Sequence, residues 1–269
     1  MFGAELKRWR LAKRLSQEGL GDLAGVSPRH VSCLERGVAW PSEHMVLRLA
    51  RALELPLRER NALLGCAGYV QRWSDAGDQI PEKLKPAVDR LLSGQRTPAY
   101  VLNGTYNVLR ANELGWVFLN ILDPLAKEGM NVAEAFFRDG PHRKLLENYK
   151  AIAQSFLARA RSEASNQGSN SVLWPIIEKA EQDPVINDGK EPLLLVGEPV
   201  IPMTLNAFGT QTRWMSVLMT FGSPQDAMVE QLTVEQFLPA DDHSAAFVEA
   251  LYLSTPTTTR REESAVTVP

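Results

Sequence analysis

Cysteine is scarce in this chain of 269 residues, with only Cys33 and Cys66 present. Two cysteines make no disulfide framework, so both are expected as free thiols in a reducing compartment. No Cys/His cluster has the spacing of zinc ligands. No apolar run approaches the roughly 18 to 20 residues that cross a bilayer, so no membrane association is expected. Met1 to Arg14 is basic and amphipathic but lacks the apolar block and cleavage site of a secretory signal. These absences favour a cytoplasmic protein. Gly-rich phosphate loops are missing, and so are heme and flavin motifs; no cofactor is expected. None of the four histidines, His30, His44, His142 and His243, has a Ser or Cys partner in a recognisable catalytic motif. An enzyme is therefore not expected.

What is present is uneven. The net charge is -3, yet Met1 to Val70 holds eleven Lys and Arg against seven Asp and Glu. The remainder is acidic. A basic segment on an acidic body points to an anionic partner for the N-terminus.

That segment reads as about five short helices. Ser16, Ser27 with Pro28 behind it, and Ser42 are helix starts, and Gly25 and Gly37 are helix stops. A last helix runs from about Arg58 to Cys66. Gln17 to Arg36 meets the demands of a helix-turn-helix. Leu20, Leu23 and Ala24 supply an inner face, and Gly21 permits close approach. Gly25 supplies the left-handed turn, Val26 anchors it, and Val31 and Leu34 bury the second helix. The segment resembles the Xre/Cro-like helix-turn-helix family through Ser16-Gln17, Leu20, Gly21, Ala24-Gly25-Val26-Ser27, Ser32, Glu35, Gly37 and Pro41. The resemblance covers about residues 3 to 67.

The helix from Pro28 is then expected in the major groove of double-stranded DNA. Arg29 is the base reader, since its fork matches guanine O6 and N7. Ser32 and Cys33 allow close approach. Gln17, His30 and Arg36 are expected on phosphates, with Ser27 a helix cap first and a phosphate contact second. Glu35 is expected to turn inward to Arg10. Lys7, Arg8, Lys13 and Arg14 form a basic face. One unit reads few base pairs, so a homodimer on a roughly palindromic operator is expected. A redox role for Cys33 is the weaker reading, because no resolving cysteine is near.

Trp73 to Gln79 is polar and reads as a linker, and Lys83 to Leu92 as a helix. The period then changes. Ala99 to Asn103 and Tyr106 to Ala111 read as strands joined by an Asn103-Gly104 hairpin. Asn112 to Leu122 is helical. Pro141 to Ser165 reads as one long helix and Val172 to Glu181 as a short one. Leu193 to Val196, Val200 to Phe208, Arg213 to Phe221 and Val229 to Phe237 read as strands. The expected fold class is an all-α helix-turn-helix domain followed by an α+β PAS-like domain. The expected boundaries are 1–70, a linker and connecting helix at 71–98, the PAS-like domain at 99–253, and a mobile tail at 254–269.

The hairpin followed by an Asn-started helix, the long helix at Lys144 to Ala164, Thr220-Phe221-Gly222-Ser223-Pro224-Gln225-Asp226, and Phe237-Leu238-Pro239-Ala240-Asp241 together resemble the ligand-binding domain of MmyB-like transcription regulators. The resemblance implies a small-molecule cavity and a lipophilic, fatty-acyl-like ligand. Candidate lining residues are Tyr100, Trp116, Phe118, Phe136, Phe137, Trp174, Phe208, Trp214 and Phe221, although such rings also fill cores. Arg143, Arg159 and Arg213 are candidate anchors for a ligand carboxylate. The alternative is a large domain serving dimerisation or protein interaction without a ligand.

Overall fold

The computed structural model describes residues 2–75, 77–188 and 200–254. The chain divides into two compact units. Over its described residues, the first holds 2–77 with Arg161–Trp174 and Gly222–Glu230. The second holds Asp78–Ala160, 175–221 and 231–254.

The first unit opens with five helices: α1 Phe2–Ala12, α2 Gln17–Ala24, α3 Pro28–Glu35, α4 Glu43–Ala52 and α5 Leu57–Cys66. Each serine start is a true cap. Ser16, Ser27 and Ser42 accept from the amides of Gly19, His30 and Met45, satisfying donors that a helix start otherwise leaves bare. Gly25 ends α2 at a φ of 63°, where a side chain would be strained. Gly21 lies so close to the turn that a Cβ would stand 2.6 Å from the Val26 carbonyl oxygen. The core gathers Phe2, Leu6, Trp9, Leu20, Val31, Leu34, Val46, Leu49 and Leu63. Leu23 departs from expectation: it is 62% exposed. The buried arc of α2 runs through Leu20, Gly21 and Ala24, and Leu23 falls on the far side of Leu20 at 100° per residue.

The second unit carries a five-stranded antiparallel sheet: β1 Ala99–Leu102, β2 Val108–Ala111, β3 Met203–Ala207, β4 Thr210–Thr220 and β5 Thr233–Pro239. Its order is β2-β1-β5-β4-β3, in keeping with the expected PAS-like α+β class. The helices are α6 Lys85–Ser93, α7 Glu113–Leu122, α8 Val132–Phe137, α9 His142–Leu145, α10 Tyr149–Gln167, α11 Trp174–Glu181, α12 Ala227–Gln231 and α13 Asp242–Ser254. The last part of α10 and most of α12 belong to the first unit.

Several expected elements change shape. Asn103-Gly104 is no two-residue turn. Asn103 Oδ1 instead gathers the Thr105 and Asn107 amides, and the left-handed residue is Tyr106 at a φ of 66°. The long helix expected from Pro141 breaks between α9 and α10. There Leu146 bridges Leu205, and Asn148 takes the Thr204 amide while donating to the Pro202 carbonyl. Asn148 thus acts as a piece of strand edge, and the chain leaves the helical path to place it. Val229 to Phe237 begins as α12, because Asp226 accepts from the Met228 and Val229 amides and starts a helix. Two further helices were not anticipated. One is α8, capped by Asn131 on the Glu134 amide. The other is α13, started by Asp241 on the Ser244 amide. The expected strand Leu193 to Val196, and the tail beyond Ser254, lie outside the described residues.

Helix α7 is fixed on β1 by two residues. Asn112 caps it on the Gly115 amide at 2.7 Å, accepts from the Ala99 amide and donates to the Thr97 carbonyl. Gly115 lets the helix touch the strand, since a Cβ there would stand 2.3 Å from the Ala99 oxygen. Gly115→Ala is therefore expected to destabilise the chain by about 1–3 kcal/mol, measured by denaturant titration.

Candidate DNA-reading face and ligand cavity

Helices α2 and α3 form the helix-turn-helix. An ion pair locks them to α1: Arg10 Nε lies 2.6 Å from Glu35 Oε1, and a second guanidinium nitrogen donates to Oε2 at 3.1 Å. The third donates to the Leu15 carbonyl. The side chains are only 8% and 2% exposed. Burial by itself would raise the Glu35 carboxyl. The hydrogen bonds from Arg10 and Gln17, together with the charge of Arg10, outweigh it and hold the carboxyl below the ordinary value of 4.5. Glu35 is thus turned away from the outer face of α3, as expected.

The outer face presents Arg29 and Arg36, both exposed, with His30, Ser32 and Cys33 half-buried. Arg36 Nε donates back to the Ser32 carbonyl, and its terminal nitrogen approaches Cys33 Sγ at 3.8 Å. Ser27 Oγ is committed to its cap. Gln17 Nε2 already donates to Glu35 Oε2 at 2.8 Å, which leaves one N–H of that amide for any phosphate. Sequence reasoning missed Arg48. From α4 it donates to the carbonyls of Ala24 and Gly25 and closes the end of α2. A basic side chain one helix beyond a glycine turn was the available signal.

The second unit holds a partly open cavity of about 410 Å³, within the usual range of small-molecule sites. The sheet forms one wall. Register places Tyr100, Glu235 and Leu218 in one row across β1, β5 and β4, and Ser216 beside Phe237. Trp214, fully buried, completes it. Phe118, Leu119, Ile121 and Leu122 of α7 form the opposite wall, with Phe136 of α8. Ile152, Ser155, Phe156 and Arg159 of α10 close one side, and Leu146, Met203 and Leu205 another. Phe118 meets Trp214 edge-on at 4.8 Å and Phe237 at 5.4 Å, so the rings brace one another. Burial and the neighbouring Glu235 charge push the Tyr100 hydroxyl well above its usual value. It stays protonated and donates to Glu235 Oε2.

Comparison with known families gives two matches. A helix-turn-helix domain matches residues 1–63. The MmyB-like transcription regulator ligand binding domain matches residues 84–251. The chain belongs to the MmyB-like transcription regulators. Its two matched parts are a DNA-binding and a ligand-binding domain. No curated protein matches the chain. Among the described residues no helix is long and apolar enough to cross a membrane, and no cluster of His, Cys, Asp or Glu could hold a metal.

In this MmyB-like domain Tyr100, Phe118, Phe136 and Trp214 line the cavity. Other expected rings do not. Trp116 lies two residues before Phe118 and so on another face of α7. Phe137 packs into the core against Phe136 and Phe156. The Trp174 indole donates to the Gly168 carbonyl in the first unit. Phe208 sits on the β3–β4 turn at a φ of 56°, more than half exposed. Phe221 lies beyond the end of β4 and off the cavity wall. Arg143 pairs with Asp183 at 2.7 Å outside the cavity, and Arg213 does not line it either. Phe156, Phe237 and Glu235 were missed as cavity residues. The alternation Thr233, Glu235, Phe237 along β5 was the signal for the last two.

Because folding lowers the Glu35 value, the stabilisation from this pair is complete above about pH 4.5 and is lost as pH falls through the folded value. Glu35→Gln should flatten that acid limb in pH-resolved denaturation. Arg10→Met, which strands a buried carboxylate, should cost about 3–5 kcal/mol near neutrality, and less in acid.

Proposed function

We propose that this MmyB-like regulator binds a roughly palindromic operator in double-stranded DNA as a homodimer, with α3 in the major groove, and that a small lipophilic, fatty-acyl-like ligand in its cavity sets its affinity for DNA. The observation that carries the ligand half is the apolar cavity inside the matched ligand-binding domain. The exposed Arg29 on the outer face of α3 supports the DNA half. Arg29 reads a guanine, while Gln17, Ser27, His30 and Arg36 hold phosphates and Ser32 and Cys33 allow approach. The ligand acts by binding one of two states more tightly, since a ligand without such a preference shifts nothing. On this reading the protein works in the cytoplasm, without a cofactor and without catalysing a reaction.

Native mass spectrometry before and after denaturing extraction tests the assembly and the ligand together. A dimer carrying a discrete, extractable extra mass is expected. A dimer with an empty, ligand-indifferent cavity would instead favour an interaction module. Arg29→Ala should weaken operator binding by about 1–3 kcal/mol and relax its sequence preference. Gln17→Ala should weaken binding to all sequences alike. Unchanged affinity of Arg29→Ala for the cognate operator would remove α3 as the reading helix.

A further inference from the structure

Among the described residues, Tyr100, Arg159, Ser216 and Glu235 gather at one polar end of the cavity, and their composition is unusual for a site that would take an anion. Glu235 stands there on the central strand β5, only 5% exposed. The Tyr100 hydroxyl donates to its Oε2 at 3.1 Å, and the Ser216 hydroxyl donates to its Oε1 at 2.6 Å. A guanidinium nitrogen of Arg159 lies 3.8 Å from Oε1. The same guanidinium covers the rings of Phe156 and Tyr106, at 4.7 and 5.7 Å from their centroids. A carboxylate surrounded by apolar side chains persists only when it is paired and hydrogen-bonded, and here two hydroxyls and one cation do both.

The consequence concerns what can sit beside this group. Among the described residues of the cavity wall, Arg159 and Glu235 bring one charge of each sign to the polar end. A ligand carboxylate brought there would gain Arg159 but face Glu235, and would still lose its hydration. A ligand ammonium meets the converse. An uncharged head loses the least hydration. It can also use both partners, because a carboxylate has about four lone-pair sites and two hydroxyls fill only two of them. Arg159, taken alone in the sequence, suggests a carboxylate anchor; in the fold it already faces the carboxylate of Glu235.

We propose that the cavity selects neutral amphiphiles, an apolar chain ending in an uncharged group that both donates and accepts a hydrogen bond, such as a hydroxyl or a primary amide, and that it discriminates against the free carboxylate of the same chain. This rests on the cavity being the ligand site, and it names the head group that the site takes.

The test titrates the full chain with n-decanol and with n-decanoate near pH 7, where decanoate is ionised. The alcohol is expected to bind more tightly by about tenfold. Ile152→Trp, which fills the cavity from α10, should abolish binding of both probes. Glu235→Gln removes the opposing charge; its amide oxygen keeps an acceptor for one of the two hydroxyls, and its NH2 donates to the other. It should raise decanoate affinity by about tenfold and leave decanol little changed. Decanoate binding as tightly as decanol, with Ile152→Trp abolishing both, overturns the neutral-head selection and leaves the cavity as the ligand site. Binding of neither probe, or binding that Ile152→Trp leaves untouched, removes the cavity reading and this inference together. If Glu235→Gln fails to fold, as judged by its melting transition, the comparison of the two probes on the unaltered chain decides.

Discussion

The ion pair between Arg10 and Glu35 is the constraint on which the DNA-reading unit depends. Three helices meet at it: Arg10 comes from α1, Glu35 ends α3, and Gln17 opens α2. Arg10 also holds the Leu15 carbonyl in the α1–α2 connection. A planar guanidinium suits this position because it can bond several acceptors in fixed directions at once. A lysine would supply charge without that geometry. With the acidic group drawn inward, the outer face of α3 keeps the positive character that an approach to phosphate requires.

The second unit has a counterpart without charge. Asn112 and Gly115 place α7 against β1, and α7 then presents Phe118, Leu119, Ile121 and Leu122 to the space above the sheet. The cavity exists because this helix is held at one end by a cap and at one point by backbone contact. Its floor follows from strand register alone. Pairing of Tyr100 and Leu218 with Glu235 puts a phenol, a carboxylate and an apolar side chain on one face. A slip of one residue in any of the three strands would turn that strand's side chain to the other face.

What could be read in the sequence was mostly local. Ser16, Ser27, Ser42 and Asn112 announce helices because a cap acts within three residues. Gly21 and Gly25 were legible because steric demands at a tight turn admit almost nothing else. The break after α9 was not legible, because it depends on Asn148 meeting β3 more than fifty residues away. Asp226 and Asp241 are local caps too, but in the sequence the first reads as a turn residue and the second as the end of a strand. For the cavity, aromatic type was a poor guide. Phe208 and Trp174 are as aromatic as Phe118 and Trp214, but only position along an alternating strand or a helix face decides which ring meets empty space.

The sheet has two outer strands, β2 and β3, and each is bridged by a loop over part of its length. Along β2, Val108 exchanges backbone hydrogen bonds with Met130 and Gly129, and Asn107 bridges Asn131. Along β3, Leu146 bridges Leu205, the Glu147 amide donates to the Thr204 carbonyl, and Asn148 fills the next position. Bare strand edges are templates for pairing with other chains and for aggregation. Here loops spend the backbone donors and acceptors of Val108 and Thr204 inside the same molecule. A strand added at either position would first have to displace a loop of the same molecule.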